Sequence, residues 1–149
     1  MIQRIQTLFL LLAAGALGGQ FVFPYLQTAD GDPARTLPAL SDGAFNPLDN
    51  PGILGLTGLG AIISVTAVFL FKNRPLQARL ALTATGTSVM LTALLAFSVK
   101  TTLNQVPQGG AAQMAAGLAM PLLAVALNWL AAKAVRKDEA LVRSMDRLR

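Results

Sequence analysis

The stretch from Pro51 to Lys100 reads PGILGLTGLGAIISVTAVFLFKNRPLQARLALTATGTSVMLTALLAFSVK, and its only charges are Lys72, Arg74, Arg79 and the closing Lys100. Two apolar runs divided by a basic, proline-containing turn form the pattern of a helical hairpin. Each arm approaches the roughly 20 residues that cross about 30 Å of hydrocarbon. Asn50-Pro51 supplies an N-cap with proline at the first helical position, and Pro75 opens the return helix. The reading is a membrane hairpin with spans over about 52–71 and 76–99 and a turn at 72–75.

Working outward, the same absence of charge recurs on both sides. One window runs over about 5–26, with Phe21, Phe23 and Tyr25 gathered at its far end as an interfacial belt. Another runs over about 112–132, with Pro121 expected to kink it mid-helix and Trp129 near its exit. The intervening connections, 27–51 and 100–111, carry most of the prolines and four aspartates. Asp30-Gly31-Asp32 starts like a calcium loop, but Ala34 stands where the next acidic ligand belongs and the closing Glu is absent, so a solvated turn is expected. A cleaved signal peptide is the rival reading of the N-terminal window, with Ala14-Gly15-Ala16 as the small-residue site. The apolar run continues through Phe23, which favours a retained span.

Composition agrees with an integral membrane domain. The 149 residues are 54% hydrophobic and 13% charged, against about 25% charged in soluble domains. The expected architecture is all-α: a single domain over 1–149 with four transmembrane helices in an up-down bundle and a short amphipathic tail helix within 133–149. With no Cys and no His, thiolate and imidazole metal ligands, bis-His haem ligation, Cys nucleophiles and the usual proton shuttle are all unavailable. No catalytic residue, cofactor or metal site is expected.

Ten of the twelve Lys and Arg lie at the N-terminus, in the middle turn or in the tail, whereas the two connections hold Arg35 and Lys100. The positive-inside rule places both termini and the 72–75 turn in the cytoplasm and makes 27–51 and 100–111 outer loops. The net charge of +5 is therefore topological and drawn to anionic lipid; without aromatic interleaving or a binding fold, no nucleic acid is expected. In the tail, Leu141, Val142, Met145 and Leu148 recur at helical spacing, which suits the leaflet surface, a protein partner or a continuation of the fourth helix.

Small and hydroxyl residues mark the expected packing positions: Gly15, Gly19, Gly55, Gly58, Ser88 and Asn128. The Gly15/Gly19 spacing also leaves a homo-oligomer seam open against packing within one bundle. Thr83, Thr85, Thr87, Ser88 and Thr92 can bond their own helix carbonyls and need not line a path. No Asp, Glu, Lys or Arg stands between Ile5 and Ala29, Asn50 and Phe71, Leu80 and Val99, or Thr101 and Ala132, so an ion or proton relay is not evident.

Three blocks carry a resemblance: the start Met1-Ile2-Gln3-Arg4-Ile5-Gln6; the turn Phe71-Lys72-Asn73-Arg74-Pro75-Leu76-Gln77-Ala78-Arg79-Leu80; and the tail from Arg136-Lys137-Asp138-Glu139 through Leu141-Val142-Arg143-Ser144 to Asp146-Arg147-Leu148-Arg149. Together they resemble a family of small bacterial four-span inner-membrane proteins defined by a domain of unknown function, across essentially the whole chain. The resemblance implies four helices with cytoplasmic termini in a bacterial inner membrane, and no catalytic residues. All three blocks fall on the expected cytoplasmic face. Arg4, Gln6, Lys72, Arg74, Gln77, Arg79, Lys137, Asp138, Glu139, Arg143 and Asp146 are therefore expected to form one polar network or docking surface, with Arg74 and Glu139 as a trial ion pair. The expected role is a non-enzymatic structural or accessory protein acting through a membrane or cytoplasmic protein partner; the alternative is a small transporter or channel.

Overall fold

The computed structural model describes residues 2–146, except for the side chains of residues 2–4, 142, 143, 145 and 146. Four helices dominate it: α1 (Ile2–Gly19), α2 (Pro51–Phe69), α3 (Arg74–Gln105) and α4 (Ala119–Asp146). They form a ring in which each packs on the next and α4 closes on α1. All four neighbouring pairs are antiparallel. Gln6 of α1 meets Ala134 of α4, Ala67 of α2 meets Gln77 of α3, Ser88 of α3 meets Asn128 of α4, and Leu17 of α1 lies against Gly60 of α2.

The starts of α2 and α3 follow local chemistry. Asn50 Oδ1 accepts from the Gly52 and Ile53 N–H groups at 2.9 and 3.3 Å, and Pro51 occupies the first helical position, where an N–H has no partner to lose. Asn73 caps α3 through the Leu76 N–H, with Pro75 in the first turn.

Several boundaries differ from the sequence reading. The first helix ends at Gly19 rather than near residue 26. Gly18 and Gly19 weaken the last turn, the Phe21, Val22 and Phe23 N–H groups fold back onto the Gly18 and Gly19 carbonyls, and Pro24 prevents resumption. α3 continues through Lys100 to Gln105, which shortens the following connection. α4 starts at Ala119, so Pro121 is its third residue; the N–H it lacks would have found no intrahelical acceptor, and no kink is required. The tail helix is no separate element, because α4 runs unbroken to Asp146.

The fold also contains a three-stranded antiparallel sheet, which the all-α reading did not include. β1 (Leu26–Gln27) lies between β2 (Ala44–Phe45) and β3 (Gln113–Met114). It joins the chain leaving α1 to the segments preceding α2 and α4. Flanking bonds extend the seam: Tyr25 N to Phe45 O at 2.7 Å, Ala115 N to Tyr25 O at 2.9 Å and Gly117 N to Pro24 O at 3.0 Å. At Gly117 a Cβ would overlap the Phe23 and Pro24 carbonyl oxygens, so only glycine lets the strands approach this closely.

The aspartates of the long connection act as turn and cap formers. Asp32 caps the 3-10 turn Pro33–Thr36 and also accepts from the Ala111 N–H at 3.0 Å, Asp42 accepts from the Ala44 N–H, and Asp30 pairs with Arg35 at 2.6 Å. Asp49 closes a capping box with Asn46. Burial raises the Asp49 carboxyl above its ordinary value, opposed by the Asn46 N–H it accepts from and reinforced by the charge of Asp42.

Candidate functional site

Apolar side chains face outward along the helices. Leu11, Leu12, Leu59, Ile62, Val65, Phe69, Val89, Met90, Phe97, Leu122 and Leu123 are exposed, while the interior between them combines Leu10, Leu17, Ile53, Leu91 and Leu95 with the small or polar Ala67, Ala81, Ala84, Ala124, Ala131, Ser64, Ser88, Thr85 and Asn128. Pro51–Phe69, Arg74–Gln105 and Ala116–Leu141 are each long and apolar enough to cross a membrane, and only 28 to 33% of those windows is buried. Ile5–Gly19 is a shorter apolar helix.

At mid-bundle Asn128 is fully buried, accepting from Ser64 Oγ at 3.1 Å and donating to Ser88 Oγ at 3.4 Å. Both serines also reach carbonyls of their own helices, Gly60 O at 2.8 Å and Ala84 O at 2.9 Å. The α3 threonines behave alike: Thr83, Thr85, Thr87 and Thr92 each donate to the carbonyl four residues earlier. Ser88 and Asn128 thus meet across helices. Gly15, Gly55 and Gly58 would meet nothing within 4 Å if given a Cβ, and Gly19 makes ordinary contact with Met120 Sδ at 3.6 Å. The close approaches between helices fall instead at Gly60, whose Cβ would press on Leu17 Cδ1 of α1 at 3.2 Å, and at Gly52, whose Cβ would press on Leu94 Cδ2 of α3 at 3.1 Å. The glycine spacing did not reveal this, because all four α2 glycines look alike until the buried face is known. Gln20, fully buried, accepts from the Tyr25 hydroxyl at 2.5 Å and so anchors the sheet layer to the end of α1.

The charged end opposite the sheet brings part of the expected polar set together. Gln6 and Gln77 are each 2% exposed and are not a docking surface: Gln6 Nε2 donates to Ala134 O at 3.2 Å and Gln77 Nε2 to Ala67 O at 3.0 Å. Both satisfy helix carbonyls where α1 meets α4 and α2 meets α3. Arg74 pairs with Asp138, Nε to Oδ2 at 3.3 Å, rather than with Glu139. Side-chain exposures of 28% and 14% make this a half-buried tie between the α2–α3 turn and α4. Lys72, Arg79 and Lys137 stand exposed around it, Lys72 lying 6.0 Å from the Phe71 ring centre. The side chains of Arg4, Arg143 and Asp146 lie outside the described residues, as does the Val142/Met145 part of the tail stripe.

The sequence reading counted Lys133 and Arg136 only as topological charge. They line a groove of about 300 Å³ with Leu82 of α3 and Trp129 and Ala132 of α4, and Lys133 Nζ lies 5.2 Å above the Trp129 ring. The i, i+3, i+4, i+7 spacing of 129, 132, 133 and 136 would have placed them on one face, had α4 been carried past residue 132.

Among protein families, the model of the domain of unknown function DUF4293 matches residues 2–148. No curated protein and no solved structure matches the chain.

Proposed function

We propose that this chain, which belongs to the DUF4293 family over residues 2–148, is a four-span protein of a bacterial inner membrane that acts without catalysis, through a protein partner at its basic end. The girdle of exposed Leu, Ile, Val and Phe supports insertion, since lipid accepts large apolar side chains, and buried Ala67, Ala81, Ala84, Ala124 and Ala131 let the helices approach one another. α1, with 18 residues, is about 27 Å long, close to the hydrocarbon thickness. The charge bias favours cytoplasmic termini.

The locked basic end carries the partner reading. Gln6, Gln77 and the Arg74–Asp138 pair fix the α2–α3 turn and α4 against the bundle, and Lys72, Arg79 and Lys137 project from that frame as a preorganised cationic surface. Preorganisation lowers the ordering cost of association. Transport is the weaker reading: Ser64, Ser88, Thr83, Thr85, Thr87 and Thr92 bond back to their own helices, and no Asp, Glu, Lys or Arg sits among the described residues around Asn128.

Native mass spectrometry of the protein extracted in mild detergent from its own membrane tests this proposal. The expected result is a heteromeric mass that disappears in Lys72→Glu/Lys137→Glu while the variant remains folded. Monomers or homo-oligomers alone would overturn the partner reading and direct attention to flux assays in liposomes.

A further inference from the structure

We infer that the groove between α3 and α4 at the basic end is a binding site for an anionic phospholipid. The inference rests on the reading of the bundle as membrane-embedded. Trp129, Ala132, Lys133 and Arg136 recur on one face of α4, and Leu82 forms the opposing wall from α3. From Trp129 to Arg136 the helix rises about 10 Å, so an apolar floor gives way to two cations over a distance comparable with the upper acyl chain and phosphate of a lipid. Trp129 and Leu82, 52 and 46% exposed, offer flat apolar walls open to the side, where a chain in the leaflet can lie. Lys133 and Arg136 are exposed at the upper rim. The Lys133 ammonium rests 5.2 Å over the indole, which holds the charge at the rim by a cation–π contact and leaves its N–H donors for a phosphate. Arg136 adds a forked donor set suited to phosphate oxygens. Among the described residues no acidic side chain lines the groove. Positive charge above, aromatic surface at the interface and apolar surface below match a phosphodiester with acyl chains better than a soluble anion, which has no use for the lower half.

The chain contains a single tryptophan, so its emission reports on this groove alone. The full-length protein is reconstituted in phosphatidylcholine bilayers containing a small fraction of lipid brominated on its acyl chains, either phosphatidylglycerol or phosphatidylcholine. Bromine quenches Trp129 when the labelled lipid occupies the groove. The expected result is an apparent affinity for the anionic lipid about fivefold or more above that for the zwitterionic one, since each cation near the surface contributes about that factor. Lys133→Gln/Arg136→Gln should bring the ratio close to one, whereas Lys72→Gln/Arg79→Gln, which removes equal charge from the same end, should leave it high. Circular dichroism confirms that each variant is folded. Equal quenching by both lipids overturns the inference while leaving the membrane reading intact, and the absence of quenching by either overturns both. A preference abolished by the Lys72/Arg79 variant reduces the effect to general surface charge. Inorganic phosphate that removes the preference at constant ionic strength identifies a free-anion site, and either result refutes the lipid assignment.

Discussion

Replacing Asn128 separates a dry packing cluster from a hydrated path. The amide makes two interhelical bonds, at 3.1 and 3.4 Å, and hydrogen bonds between membrane helices average about 0.6 kcal/mol, giving roughly 1 kcal/mol for the pair. Its partners are not orphaned by its loss, because Ser64 retains Gly60 O and Ser88 retains Ala84 O. Asn128→Leu keeps the number of side-chain heavy atoms but its methyls are bulkier than the amide, so loss of the bonds and tighter packing should together cost about 1 to 2 kcal/mol. Asn128→Asp introduces an ionisable group into a fully buried position without a counter-charge and should cost about 2.5 kcal/mol or more. Reversible unfolding in mixed detergent–SDS micelles, followed by far-ultraviolet circular dichroism, measures both variants. A double-mutant cycle between Ser88→Ala and Asn128→Ala should give a coupling near 0.6 kcal/mol. The reasoning fails if Asp is tolerated as well as Leu at a pH high enough to ionise it, since a neutral carboxyl needs no water but a carboxylate at mid-bundle does; transport would then become the stronger reading.

Gly117→Ala should destabilise the fold by about 1 to 3 kcal/mol, because its Cβ meets backbone carbonyls that no rotamer change can move; increased protease cleavage between β1 and the end of α1 is the companion measurement. Asp138→Ala should cost about 1 kcal/mol, and the exchange Arg74→Asp/Asp138→Arg should recover part of it in the same unfolding assay, with less recovery at high salt; Glu139→Arg paired with Arg74→Glu should recover less. Pro121→Ala should change stability by less than about 1 kcal/mol, and a cost near 3 kcal/mol would mean that the proline shapes the helix.

The helices were legible because each contains a long stretch without charge, a signal that needs no periodicity, although α3 and α4 carry charged residues toward their ends. Their ends were less so. Phe21 to Leu26 is as apolar as a span, and only Gly18, Gly19 and Pro24 mark the break, which hydropathy does not register. Residues 112–118 misled in the same way, being mostly apolar yet forming β3 at Gln113–Met114 and a 3-10 turn at Ala116–Leu118, and this displaced the expected helix start and gave Pro121 a mid-helix place it does not have. Two-residue strands are too short to show alternation. At the basic end the motif blocks did bring Gln6, Arg74, Gln77 and Asp138 together, but polarity alone suggested an exposed surface for two glutamines that are buried carbonyl partners. Whether a polar side chain faces inward or outward depends on the neighbouring helix, which a single chain's spacing does not specify.

α4 has one mechanical consequence. From Leu122 to Asp146 it contains neither glycine nor proline, and about 20 Å of it extends beyond Ala132 as continuous helix. Gln6 and Arg74 grip it near Ala134 and Asp138, so the protruding length is a lever with a fulcrum rather than a tether. A sideways force on its far end becomes torque on the segment that carries Asn128. The far end of α4 is thereby held at a fixed bearing to the other three helices, and a load on it is felt in the centre of the bundle.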